Sequence, residues 1–139
     1  ATASKFNFKY IKYRFVNKKK NIKNFLLDQN FVSGIGNIYA NEILFHSKIS
    51  PFKISKKLSN REINKLLKYS KLVLNLSIKF GGSSIRDFKN AKGISGLFQN
   101  NFKAYNRENE NCVRKNCKGK IIKRFISNRS SFFCNFCQK

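Results

Sequence analysis

Four cysteines stand near the end of this 139-residue chain as Cys112-x4-Cys117, sixteen residues, then Cys134-x2-Cys137. Two close pairs separated by a hairpin-length segment can close a tetrahedral thiolate shell around zinc, and a small β-hairpin with little apolar mass needs such a staple. Free buried thiols and two disulfides are the competing readings. The paired spacing opposes both, and so does the N-terminus, which lacks a charged, apolar, small-residue leader. A complete four-thiolate shell leaves no open position for water, so the expectation is one structural zinc ion held by Cys112, Cys117, Cys134 and Cys137, not a hydrolytic centre. Between the pairs, Ser127-Asn128-Arg129-Ser130 reads as a hairpin tip, with Lys123 and Arg124 beside it. An arginine on a metal-pinned turn can grip a phosphate through two hydrogen bonds at little entropic cost; the plainer alternative is an ordinary exposed turn arginine.

The other stretch with chemical potential is GIGNIYANE, Gly34 to Glu42. A glycine pair at a helix start lets backbone N–H groups approach an anion. Composition supplies a reason to expect one: Lys plus Arg number 30 against 6 acidic residues, a formal charge of +24. An AT-rich genome would account for the asparagines and part of the lysine count, but not for so few acids. No globular fold needs that imbalance for its own stability, so the expected partner is a polyanion. His46, the sole histidine, has no cysteine or acid partner in sequence and is expected to face solvent, and Glu42 is expected to brace a helix turn. With no run of about 18 apolar residues, a membrane span is not expected, and the reading is cytoplasmic.

Helices must carry most of this. Phe6 to Phe15, FNFKYIKYRF, alternates aromatic and basic residues and fits either a strand or an extended arm. Lys18 to Gln29 holds a helix-like cluster with Lys18, Lys19, Lys20 and Lys23 toward its start, an unfavourable end for cations given the helix dipole. A second amphipathic helix follows Gly36 and ends before Ser50-Pro51. A third starts at the capping box Ser59/Glu62 and runs to Gly81-Gly82. From Ser83 to Asn101 periodicity fades into a loop, and short β-like runs around Ile121 to Ile126 and Ser131 to Phe133 lie among the cysteines.

In this order the motifs LLDQNFVSGIGNIYANEILF, GGSSIRDF and NRSSFFCNFCQK make the chain, from about Phe6 to Lys139, resemble the C-terminal half of bacterial formamidopyrimidine-DNA glycosylases. The resemblance implies a mainly α fold: a helix–two-turn–helix bundle over 1–101, with a lesion-capping loop at about 81–98, and a four-cysteine zinc-finger β-hairpin over 102–139. It implies that Asn37, Gly36, Lys18, Lys19, Lys23 and Arg129 contact DNA phosphates, that Gly82, Ser83 and Ser84 belong to the lesion loop, and that Arg129 donates the proton for δ-elimination. The implied parent is a monomeric, nucleoid-associated repair enzyme. It excises oxidised purines such as 8-oxoguanine and formamidopyrimidines from damaged double-stranded DNA and cleaves the abasic strand by β,δ-elimination.

The chain departs from the family pattern in having four residues, where two are usual, inside the first cysteine pair, and Asn106 where glycine is common; asparagine tolerates the left-handed backbone. The N-terminal proline nucleophile of the family, and the catalytic domain that carries it, have no counterpart in these residues, so this chain is expected to bind DNA and leave the cutting to that domain. An RNA- or ribosome-binding helix–two-turn–helix and zinc-ribbon module is the alternative, but it gives no account of GGSSIRDF and NRSSFFCNFCQK.

Overall fold

The computed structural model describes residues 5–79 and 102–139. Among them are helices α1 (Phe8–Phe15), α2 (Ile22–Leu27), α3 (Asn37–Ser47) and α4 (Asn60–Lys79), a 3-10 turn at Ser55–Lys57, and strands β1 (Ile121–Ile126) and β2 (Arg129–Cys134).

The N-terminal segment is a helix, neither the strand nor the arm that its alternation suggested. Asn7 Oδ1 accepts the Tyr10 N–H at 2.9 Å, and Ile11 and Phe15, four apart, are both buried. The alternation breaks at the adjacent Tyr10 and Ile11, which leaves Ile11 and Phe15 at helical spacing, and here the aromatic cluster decides. Phe15 meets Phe25 and Phe31 at ring-centroid distances of 5.0 and 5.5 Å, which requires α1 to present one side.

Helix α2 begins at Ile22, capped by Asn21, whose side chain accepts the Asn24 N–H at 2.8 Å. Lys18, Lys19 and Lys20 therefore precede the helix. They lie on a segment tied to residues 53–56 by Ser55 N–H to Lys20 O and Lys56 N–H to Lys18 O. Only Lys23 opposes the dipole from within. Two turns follow, bridged by Asp28, which accepts the Asn30 N–H at 2.9 Å, and by Gly34, whose φ of +103° few other residues adopt.

Helix α3 was expected to be amphipathic; it is central instead. Tyr39 through Phe45 are all buried, because α2, α4 and β2 pack around it. Helix α4 carries the expected capping box, with Ser59 N–H to Glu62 Oε1 at 2.9 Å and Glu62 N–H to Ser59 Oγ at 3.1 Å. Its buried Ile63, Leu66, Val73 and Leu74 close the helical core. The expected Gly81-Gly82 stop and the loop at about 81–98 lie outside the described residues.

His46 does not face solvent. Its side chain is 11% exposed, 3.9 Å from Glu42 Oε1 and stacked on Tyr69. Burial, with Arg114 and Lys103 nearby, pulls the imidazole down to about 4. In the unfolded chain it titrates near its ordinary value of 6.5, so the neutral ring stabilises the fold above that pH, and this contribution is lost as pH falls from 6.5 toward about 4. Unfolding free energy is expected to drop over that window by on the order of 2–3 kcal/mol, less in His46→Gln. Urea midpoints at pH 7 and 4.5 for both proteins test it; equal drops in the two would reject the assignment.

Candidate metal centre and nucleic-acid interface

The hairpin pairs Ile121 with Cys134 through to Ile126 with Arg129. Its tip is the two-residue turn Ser127-Asn128, with φ of 49° and 67°, the twist that lets antiparallel strands close tightly. This geometry brings Cys134 and Cys137 against Cys112 and Cys117. All four Sγ atoms lie within 4.8 Å of one another, with Cys117–Cys134 at 3.6 Å and Cys112–Cys137 at 3.9 Å. A tetrahedron with metal–sulfur bonds of about 2.3 Å has sulfur–sulfur edges of about 3.8 Å, so the four cysteines stand close enough to bind one metal ion.

The surroundings suit thiolates. Gly119 N–H points to Cys117 Sγ at 3.4 Å, and the Phe136 and Cys137 N–H groups to Cys134 Sγ at 3.4 and 3.5 Å. Arg114 Nη1 donates to Cys137 Sγ at 2.9 Å, and Arg114 also donates to the Phe45 carbonyl oxygen. Burial and the neighbouring Cys134 push the Cys137 thiol up to about 12, so ionising all four sulfurs requires a cation among them. Gly119 was not singled out from sequence, yet a Cβ there would lie 2.4 Å from Cys134 Sγ and 2.7 Å from Phe136 Cβ. Gly119→Ala is expected to weaken metal binding by about 10–100-fold, measured by competition with a colorimetric chelator; unchanged affinity would show that the knuckle yields freely.

The other end of the hairpin docks on the helices. The carbonyl oxygen of Ser130 accepts from Lys23 Nζ at 2.8 Å, Asn37 Nδ2 at 3.1 Å and Asn41 Nδ2 at 3.3 Å. Lys23 also donates to Ser131 Oγ at 2.7 Å, and Asn41 Oδ1 accepts the Phe132 N–H at 2.9 Å. Lys23, expected to face a phosphate from the surface, is fully buried in this joint. Burial, and secondarily the Arg129 guanidinium, lower its amine to about 8. Neither Lys23 nor Arg129 has a carboxylate partner among the described residues.

Arg129, Gly36, Lys18 and Lys19 are exposed and Asn37 is half-buried; Gly82, Ser83 and Ser84 lie outside the described residues. At Gly36, which caps α3 with no side-chain hydrogen bond, a Cβ would meet nothing within 4 Å, so nothing described in the fold itself demands glycine there. The joint thus sets the amino end of α3 beside Arg129.

Glu42 braces more than its own turn. Fully buried, its carboxylate accepts N–H groups from Lys103, Ala104 and Tyr105 at 2.7, 2.9 and 2.9 Å. Burial pushes its pKa up and these three bonds pull it back. Asn41, Arg114 and Gln138, which links Cys134 N–H to Ile49 O, carry no sequence signal beyond being polar.

Residues 1–89 match the Formamidopyrimidine-DNA glycosylase H2TH domain family. A formamidopyrimidine-DNA glycosylase of Caulobacter vibrioides is 41% identical over 133 residues, covering 96% of this chain and 46% of that protein. One from Rickettsia bellii is 41% identical over 134 residues, covering 96% and 48%. Among solved structures, the Lactococcus lactis formamidopyrimidine-DNA glycosylase bound non-covalently to DNA containing an AP site superposes with a TM-score of 0.79 at 34% identity, over 99% of this chain and 48% of that one. MutM in complex with DNA containing carbocyclic 8-oxo-G gives 0.78 at 35% identity, over 96% and 47%. This chain spans about half the length of these relatives. With its helix pair, docked hairpin and clustered cysteines, the chain belongs to the formamidopyrimidine-DNA glycosylase family, which it matches through the H2TH domain.

Proposed function

We propose that this chain is the DNA-gripping portion of a base-excision glycosylase and abasic-site lyase acting on oxidised purines in duplex DNA. The observation that carries the reading is the joint at Ser130, which sets Arg129 and the amino end of α3 side by side. Backbone N–H groups at Gly36 and Asn37 hold one phosphate and Arg129 a neighbouring one, with Lys18 and Lys19 adding attraction that carries no sequence information. Lys23 acts through the joint: its buried charge, beside Arg129 and unpaired with any described acid, favours an anionic phosphodiester next to it. The Cys112, Cys117, Cys134 and Cys137 cluster holds one zinc ion, which when bound supplies rigidity to the hairpin and no reaction step.

In the whole protein, flipping a damaged nucleotide costs a few kcal/mol, recovered from such backbone contacts. Arg129 is assigned the proton donation of the δ-elimination. Gly82, Ser83 and Ser84 are assigned to the segment that covers the lesion base, within a helical unit over 1–101 that precedes the finger over 102–139. The site of action is intracellular DNA.

The test is affinity, over a range of salt, for a duplex carrying a stable abasic analogue, the same duplex undamaged, and an RNA stem-loop. The abasic duplex is expected to bind tightest, with log affinity falling by about 0.9 per phosphate neutralised for each decade of salt. Arg129→Ala is expected to reduce that slope by about one phosphate's share with the helical circular dichroism intact. Preference for the RNA would overturn the reading.

A further inference from the structure

We propose that the tip end of the hairpin face that carries the finger's core, built on Phe125 with Lys123, is a stacking site for an unpaired nucleotide. The proposal rests on the DNA-binding reading above and adds a ligand class to it. Antiparallel register places Ile121, Lys123 and Phe125 on the same face as Cys134, Phe132 and Ser130. Along that face Ile121, Phe132 and Cys134 are buried in the finger's core, with Phe132 packed edge-on to Tyr105 at 5.1 Å. The core then ends and the face does not: Phe125, the next side chain toward the tip, is 67% exposed.

A cation borders the ring. Lys123 Nζ sits 5.7 Å from the centroids of both Phe125 and Phe132, with Glu108 Oε2 its only described acidic neighbour, at 3.8 Å. Arg124 is exposed and donates to the Lys123 carbonyl oxygen at 2.9 Å. Directly across the ladder from Phe125 stands Ser130, whose carbonyl gathers Lys23, Asn37 and Asn41. The backbone of Phe125 is therefore about one strand spacing, roughly 5 Å, from that of Ser130.

An exposed aromatic face bordered by cations is the arrangement that binds single-stranded nucleic acid: the ring takes a base and the cations take its phosphates. A base inside a duplex is already stacked above and below, so the nucleotide that fits Phe125 is one without a paired, stacked position. Lys123 then meets a phosphate beside it.

The chain has no tryptophan, so Phe125→Trp installs a single indole reporter. Titrated with a short oligothymidylate, its emission is expected to be quenched, and Phe125→Ala to weaken oligothymidylate binding by about tenfold while leaving affinity for a fully paired duplex unchanged. Unquenched emission together with unaltered oligothymidylate affinity in Phe125→Ala would overturn the proposal. So would concentration-dependent sedimentation of the free protein that Phe125→Ala abolishes without affecting DNA, since the face would then be a self-association surface. Failure to bind any paired duplex would instead strike the function proposed above, which keeps the two failures distinct.

Discussion

Stripping the metal with a chelator is expected to unfold the β1–β2 hairpin while leaving α1, α2 and α4 folded. The apolar cluster of the finger is small: Phe45, Ala104, Cys112, Ile121, Phe132 and Cys134 are its buried members, and two of these are thiols that lose their reason to be close once the ion leaves. A structural zinc contributes on the order of 10 kcal/mol to such a unit, more than so little apolar burial can replace. The helices have a separate cluster, from Phe6 to Leu74, that includes no cysteine. Backbone amide NMR during chelation provides the readout. Cross-peaks of 121–134 should collapse while those of 22–27 and 60–74 persist, and the Lys23 amine, released from Ser130 and Ser131, should climb from about 8 toward an ordinary lysine. Hairpin shifts that stay put after complete metal removal would refute the coupling. Cys134→Ser should reproduce the loss at any zinc concentration, which separates ligand loss from chelator side effects.

Glu42→Ala is expected to cost several kcal/mol, at about 1–3 kcal/mol for each buried N–H left without its acceptor. Three N–H donors, on Lys103, Ala104 and Tyr105, end on this carboxylate, and its removal strands them away from water. Glu42→Gln separates the contributions. Its single carbonyl oxygen can retain the Ala104 and Tyr105 bonds at the Oε2 position, but its NH2 then faces the Lys103 N–H, donor against donor. The expected order of thermal stability is wild type, then Gln, then Ala, with DNA affinity falling in the same order because residues 102–105 lead into the finger. If Ala matches wild type by calorimetry, the segment is held by something other than this carboxylate.

Local rules found much of this molecule. The capping box at Ser59 and Glu62 and the cysteine pairs depend on residues a few positions apart, and each is where the sequence places it; the hairpin tip is tighter than the expected Ser127–Ser130, with Arg129 and Ser130 opening β2. Where local signals conflicted, distant residues decided. FNFKYIKYRF mixes two periods, and its choice of helix rests on Phe25 and Phe31. Lys23 looks like any other cation in a lysine-rich stretch, and only Ser130 and Ser131, more than a hundred residues later, explain its burial. Asn41 and Glu42 were in view within GIGNIYANE, but their targets at Phe132 and at residues 103–105 are invisible to any window of adjacent residues. The proposed phosphate contacts come from resemblance; the joint at Ser130 has no counterpart in that reading.

The Ser130 oxygen on which that joint converges has a consequence for heredity. A main-chain carbonyl is supplied by every amino acid, proline included, so no missense change at codon 130 can delete the shared acceptor. Mutational risk falls on the donors Lys23, Asn37 and Asn41, and a lineage drifting toward AT-rich codons, as this composition suggests, keeps both lysine and asparagine within easy reach. The docking of the hairpin on α2 and α3 is in that sense written half in side chains that selection must guard and half in a backbone atom that replication cannot misspell.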